Sequence, residues 1–143
     1  MSTEKIKIES VAPVRVDLAG GTLDIWPLYL LLPNPKTINI GINLFAKATI
    51  EAQPSSTPQV KLHSIDQNKS HVFTWTEILN KDTQAIPELD LLARLVRYFA
   101  KDHPNPSSLD FTLTTQAKSP AGAGLGGSSA LSISIIGALW KWV

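Results

Sequence analysis

Between Lys118 and Ala130 the chain reads KSPAGAGLGGSSA, placing four glycines (Gly122, Gly124, Gly126, Gly127) and two serines (Ser128, Ser129) between an alternating segment and an apolar one. Glycine has no Cβ, so such a run reaches backbone conformations closed to other residues and lets bare N–H groups crowd around a guest. A phosphate is the guest that suits it. The apolar stretch that follows, Ala130 to Val143, is expected to be a helix that is apolar nearly all round and therefore buried. Period two also fits Leu131 to Ile135, but strands rarely run thirteen residues. A serine at the mouth of that helix would cap its first N–H groups, and the free N–H groups with the helix dipole favour an anion. Loop and helix together read as an anion cradle.

Other readings of the glycines compete with this one. A flexible Gly/Ser/Ala linker would not run straight into Ile133, Ile135, Ile136, Leu139 and Trp140. Gly122, Gly124 and Gly127 fit the dinucleotide pattern G-x-G-x-x-G, which would make this an NAD-binding turn. Yet Lys118-Ser119-Pro120 separates the preceding strand from the first glycine, whereas a Rossmann turn follows its strand directly. G-x-x-x-x-G-K-[ST] does not occur in the chain, so this is not a Walker loop.

At 143 residues the chain is long enough for one domain with a usable core. Thirteen basic residues against twelve acidic ones give no bulk field that would attract nucleic acid or an anionic membrane. There is no cysteine, which excludes a disulfide framework and a thiolate metal site and is compatible with a reducing compartment. The first ten residues, MSTEKIKIES, lack the apolar core of a signal peptide. Ile25 to Leu32, broken by Pro27, is far short of the ~20 residues that span a bilayer. A cytoplasmic protein is the default expectation. His63, His71 and His103 are scattered and lack partners at metal spacing.

Alternation predicts a strand at Lys5 to Ile8, a break at Pro13 and a second strand at Val14 to Leu18 that ends at Ala19-Gly20-Gly21. Arg15, Asp17 and Asp24 are either a surface ion pair beside a turn or the polar lining of a ligand site, since charges and irregular backbone meet there. Thr37 to Ala52 is β-rich, with a phase change near Phe45 to Ala48 that suggests a long bent strand or a pair. Its other parity, Asn39, Gly41 and Asn43, is a solvated face or a cleft lining. Gln59 to Ile65 and His71 to Trp75 form a hairpin around DQNKS. Leu89, Leu92, Val96 and Phe99 recur at helical spacing from about Glu88 to Lys101, with Pro87 at the first position and Arg94, Arg97 and Lys101 as the wet face. Leu109, Phe111, Leu113 and Thr115 alternate as one more strand, which delivers the chain to the glycines.

The stretch from Pro120 to Ala130 resembles the phosphate loop of the GHMP kinases, roughly P-x-x-x-G-L-G-S-S-A. Pro120, Gly124, Leu125, Gly126, Ser128, Ser129 and Ala130 fall on that pattern, and Gly127 stands where some members carry an extra small residue. RVDLAGGTLD, from Arg15 to Asp24, resembles the first motif of the sugar-kinase branch, R-V-[ND]-L-x-G-x-x-T-D, with Arg15, Val16, Asp17, Leu18, Gly20 and Asp24 on the pattern. Gly21-Thr22 replaces the Glu-His of galactokinases and is closer to heptose-phosphate and fucose-type kinases. The resemblance implies an α+β domain with a mixed, largely antiparallel sheet packed by helices, and transfer of the γ-phosphate of ATP to a hydroxyl of a sugar or sugar phosphate. By the same resemblance, Pro120, Gly122, Gly124, Leu125, Gly126, Gly127, Ser128 and Ser129 would bind the nucleotide, Ser128 would hold Mg²⁺ and Ser129 would cap the helix. Arg15 would serve the moving phosphoryl group, and Arg15, Asp17, Gly21, Thr22 and Asp24 would bind the sugar.

Lys118 could screen charge at the loop's entrance or simply be an exposed lysine. The family's aspartate base and its third motif have no counterpart in this chain, which implies that residues 1–143 are the N-terminal ATP- and substrate-binding domain with the C-terminal half absent, inactive by itself. The expected covering of Trp140 and Trp142 is that absent half or a second copy. A non-catalytic nucleotide-binding or dimerising module is the alternative.

Overall fold

The computed structural model describes residues 5–119 and 126–143. Five strands and three helices follow in the order β1 (Ile6–Ala19), β2 (Ile38–Pro54), β3 (Gln59–Ser64), β4 (Lys69–Thr74), α1 (Trp75–Leu79), α2 (Asp90–Ala100), β5 (Leu109–Ala117) and α3 (Gly127–Trp142), with short 3-10 turns between several of them. The strands form one sheet in the order β1-β2-β5-β3-β4. Every pairing is antiparallel except β3 with β5. This is the expected α+β architecture with a mixed, largely antiparallel sheet.

The helices cover one face of the sheet. Ala46, Ala48, Ile50 and Ala52 of β2, Phe111 and Leu113 of β5, and Val60 and Leu62 of β3 all turn to that face and are buried. The small side chains of β2 leave room for α3, which lies against β1, β2 and β5. Leu131, Ile135, Ala138 and Leu139 fill the space between. In α2 the helical spacing read from the sequence is the buried stripe: Leu92, Val96 and Phe99 face inward, joined by Leu89 in the preceding turn, where Pro87 takes the first position.

Several expectations need correcting. The N-terminal strand does not break at Pro13; β1 continues through it, with a register slip in which Pro13 pairs with Phe45 but Val14 pairs with Ile42. That slip leaves Asn43 and Leu44 of β2 outside the ladder, a bulge that bends both strands. It takes the place of the phase change near Phe45, because the even-numbered residues of β2 keep facing inward on both sides of it. Arg97 is not simply a wet residue of α2: its Nε donates to the Ile78 carbonyl at 2.6 Å and Nη2 to that of Thr83 at 3.4 Å, tying α2 to α1 and its following loop.

The last helix is not apolar on a wholly buried surface. Ile133 and Trp140 face out, and Trp140 is 75% exposed. Trp142, in contrast, is only 5% exposed. It stacks on His103 at 4.5 Å between ring centroids and on Trp75 at 6.3 Å, and meets Phe111 at 4.8 Å. The far end of the β1–β2 hairpin and the segment joining the two strands carry a second apolar surface, where Leu18, Trp26, Leu30, Leu31, Ile38 and Ile40 are exposed.

Candidate functional site

Two features converge where β1 passes the start of α3. The first is the helix mouth. Gly126 is the N-cap, in the left-handed region at φ 63°, a conformation that costs other residues ~1–2 kcal/mol. No side chain of the cap residue closes the helix, which corrects the expectation that Ser129 caps it: Ser128 and Ser129 already lie in the first turn. The first intrahelical bond runs from Ala130 N–H to the Gly126 carbonyl at 2.9 Å. The N–H groups of Gly127, Ser128 and Ser129 precede it and have no acceptor within the helix. The second is Arg15, whose stem runs beside the cap, so that a Cβ on Gly126 would lie 3.8 Å from its Cγ.

A pocket of about 190 Å³ opens between them, lined by Ala12, Pro13, Arg15, Gly126, Ser129, Ala130 and Ile133. Its polar residues, Arg15 and Ser129, together with the positive end of a 16-residue helix, suit a negative guest. The apolar remainder excludes water from one wall. Neither Ala12, Pro13 nor Ile133 carries a sequence signal for a site. They are ordinary strand and helix residues that become walls only because α3 lies on β1.

The sequence-derived candidates separate in space. Pro120, Gly122, Gly124 and Leu125 lie outside the described residues, as does the side chain of Asp24. Gly127 opens the first turn, and a Cβ there would strike the Ser119 hydroxyl, so Ser119 and Gly127 lie close together. Ser129 faces the pocket. Ser128 is exposed, does not line it, and its carbonyl accepts from the Ser132 hydroxyl at 2.9 Å.

Among the described side chains of the first motif, Arg15 is the one that lines the pocket. Asp17 pairs with it, Oδ1 standing 3.3 Å from Nε. Gly20 adopts φ 75° and its carbonyl accepts from Leu23 N–H and the Thr37 hydroxyl, which fixes the turn that carries Gly21 and Thr22. Thr22 is exposed on that turn, and neither it nor Gly21 lines the pocket. Lys118 is exposed at the end of β5, its N–H donating to the Phe45 carbonyl.

A larger open groove of about 860 Å³ runs along Lys81 to Ala85 and the outer side of α2. Its arginines are already engaged, Arg97 by two carbonyls and Arg94 by Asp90 at 2.7 Å. The lining also sets Lys81 beside Asp82 and Asp90, so cations and carboxylates alternate and the groove offers no concentrated charge to an anion. Among the described residues no group of three or more His, Asp or Glu is placed to hold a metal ion, and no helix is long and apolar enough to cross a membrane.

Residues 90–143 match the model of the GHMP kinases N terminal domain. The segment matched holds α2, β5, the glycine loop and α3, of which the cap residue Gly126 and Ser129, Ala130 and Ile133 of α3 form one side of the pocket. The chain resembles the N-terminal part of the GHMP kinases. Over 136 residues it is 30% identical to the D-glycero-alpha-D-manno-heptose 7-phosphate kinase of Campylobacter jejuni, covering 95% of this chain and 38% of that protein. Its fold superposes on the crystal structure of a D-glycero-D-manno-heptose 1-phosphate kinase from Bacteriodes thetaiotaomicron with a TM-score of 0.76 and 28% identity, over 96% of this chain and 42% of the other. The Methanococcus jannaschii mevalonate kinase has the same fold, with a TM-score of 0.68 at 21% identity over 99% of this chain and 40% of its own. The chain thus spans about two fifths of the length of the GHMP kinases it matches.

Proposed function

We propose that residues 1–143 are the ATP- and substrate-binding domain of a GHMP-type sugar or sugar-phosphate kinase, and that the chain binds the phosphates of Mg·ATP at the mouth of α3. The observation that carries this reading is that Arg15 and the N-terminal turn of α3 line one pocket. The arginine side chain and the positive end of the helix dipole both favour a negative guest there.

In phosphoryl transfer the protein contributes mainly positioning and charge neutralisation. The amides of Gly127, Ser128 and Ser129 would hold phosphate oxygens, together with the loop residues Pro120, Gly122, Gly124, Leu125 and Gly126. Arg15 would neutralise charge on the phosphoryl group in flight. A magnesium ion bound with the nucleotide would spread the remaining charge and orient the phosphates. A serine hydroxyl is the hard, neutral oxygen donor such an ion takes. Ser128 occupies the position that the family pattern gives it, while Ser129 has the support of facing Arg15 across the pocket. The turn at Gly21, Thr22 and Asp24 would meet the sugar. Similarity to two heptose-phosphate kinases supports a phosphorylated monosaccharide as the acceptor.

The exposed apolar end of the β1–β2 hairpin and Trp140 support a further polypeptide against this domain, supplied by the remaining length of such a kinase or by a second copy. With that partner absent the chain would bind nucleotide without turning it over. Calorimetric titration with Mg·ATP, Mg·AMP and NAD tests the nucleotide reading: saturable binding of Mg·ATP, weaker binding of Mg·AMP and none of NAD are expected. Equal or tighter binding of NAD would replace it with the dinucleotide reading.

A further inference from the structure

Asp17 carries the sugar-kinase pattern, yet it does not line the pocket, and its carboxylate is spent on the protein itself. Oδ1 stands 3.3 Å from Nε of Arg15. On its other side the carboxylate lies against the backbone of Gly21, where an added Cβ would come 2.7 Å from Oδ2 and 2.9 Å from the Asp17 Cβ. The side chain is only 27% exposed, against 50% for Arg15. Gly21 is itself fixed, because Gly20 is held by Leu23 and Thr37.

We infer that Asp17 is a positioning residue, not a sugar ligand: it is seated by the bare backbone of Gly21 and holds the Arg15 guanidinium at the mouth of α3. The inference rests on the nucleotide reading above and adds to it a reason for the glycine at position 21. A residue with a Cβ there would push the carboxylate off its seat and release one anchor of the arginine. An arginine side chain has several rotatable bonds, and holding it in advance lowers the entropy lost when an anion binds. Arg15, two residues before Asp17 on β1, projects from the same face of the strand, which is why the pair can form without bending the backbone.

The test is a set of variants of the 143-residue chain titrated with Mg·ATP, each first checked for an unchanged thermal midpoint. Asp17→Ala is expected to weaken binding about tenfold, and Asp17→Asn to recover to within about threefold of wild type, since its amide oxygen still faces Nε and its bulk still fits over Gly21. Gly21→Ala should lose about as much as Asp17→Ala, and the two together little more. In an Arg15→Met background, Asp17→Ala should change affinity less than twofold. A side chain that merely supports the fold would give the same loss with or without Arg15.

Wild-type affinity in Asp17→Ala, or an equal loss in both backgrounds, overturns the inference and leaves the nucleotide reading standing. No binding by the wild-type chain overturns both. The two failures are told apart by the wild-type titration alone.

Discussion

Truncating Trp142 to alanine removes the side chain on which the C-terminal half of α3 is seated. The indole is buried among His103, Trp75 and Phe111, with ring separations of 4.5, 6.3 and 4.8 Å. Replacing a buried Trp by Ala costs about 3–5 kcal/mol through lost transfer energy and the cavity left behind. In a domain of this size that lowers the thermal midpoint by roughly 10–15 °C. Trp142→Phe should behave very differently. The Nε1 group is buried and has no hydrogen-bond partner among the described residues, a condition that costs about 1–3 kcal/mol. Phenylalanine removes that penalty while keeping most of the ring contact, so a net loss of about 1 kcal/mol or less is expected. Urea unfolding followed by far-ultraviolet circular dichroism gives both values. An alanine variant within 1 kcal/mol of wild type would refute the packing described for the helix end, and a phenylalanine variant as damaged as alanine would show that Nε1 makes a bond the structure does not contain.

Two further outcomes follow from close contacts elsewhere. A Cβ on Gly137 of α3 would come 2.7 Å from the Ser10 hydroxyl of β1 but 3.7 Å from its Cβ. Gly137→Ala alone should therefore give little or no stabilisation, while Ser10→Ala combined with it should raise stability by about 0.5–1 kcal/mol, the helix preference for alanine over glycine; chemical denaturation of the single and double variants decides it. Burial against the Trp142 ring holds His103 below the usual imidazole range, and its Nδ1 accepts from Asn105 N–H at 3.2 Å, a bond that favours the neutral ring. The unfolded chain then binds the proton more readily, so this contribution is complete above the ordinary histidine pKa near 6.5 and is lost as the pH falls through it. The thermal midpoint should fall on acidification from pH 7.5 to 5.5, less so in His103→Phe; equal slopes in both proteins would contradict it.

Much of the fold was legible because the core follows simple periods. Leu92, Val96 and Phe99 are buried where a 3.6-residue repeat puts them, and Phe111 and Leu113 where alternation does. The final helix was also legible, though not for the reason of length, since β1 and β2 run 14 and 17 residues in this same chain. The short helix α1 was missed by extending the strand to Trp75. Its signal was present in Thr74 and Glu77, which form a capping box: Glu77 N–H donates to the Thr74 hydroxyl at 3.2 Å and Thr74 N–H to the Glu77 carboxylate at 2.7 Å. That bond from the Thr74 N–H also holds the Glu77 carboxyl below the usual range.

What a local pattern could not give is anything set by distant segments meeting. The bulge at Asn43 and Leu44 is defined by its partner strand. Arg97 looked solvated because the carbonyls it serves lie 14 and 19 residues earlier. At the site, Arg15 and the serine pair were both readable as polar residues beside irregular backbone. That Ser129 and not Ser128 faces Arg15 depends on the rotation of α3 over β1, which no spacing within either motif encodes.

The most direct measurement is a Mg·ATP titration followed by backbone and arginine Nε signals in ¹H–¹⁵N spectra of the chain. Saturating shifts are expected at Gly126, Gly127, Ser128 and Ser129 and at Nε of Arg15, with little change along Lys81 to Arg97. Shifts confined to that second groove, or a spectrum unmoved by millimolar Mg·ATP, would contradict a phosphate site at the mouth of α3.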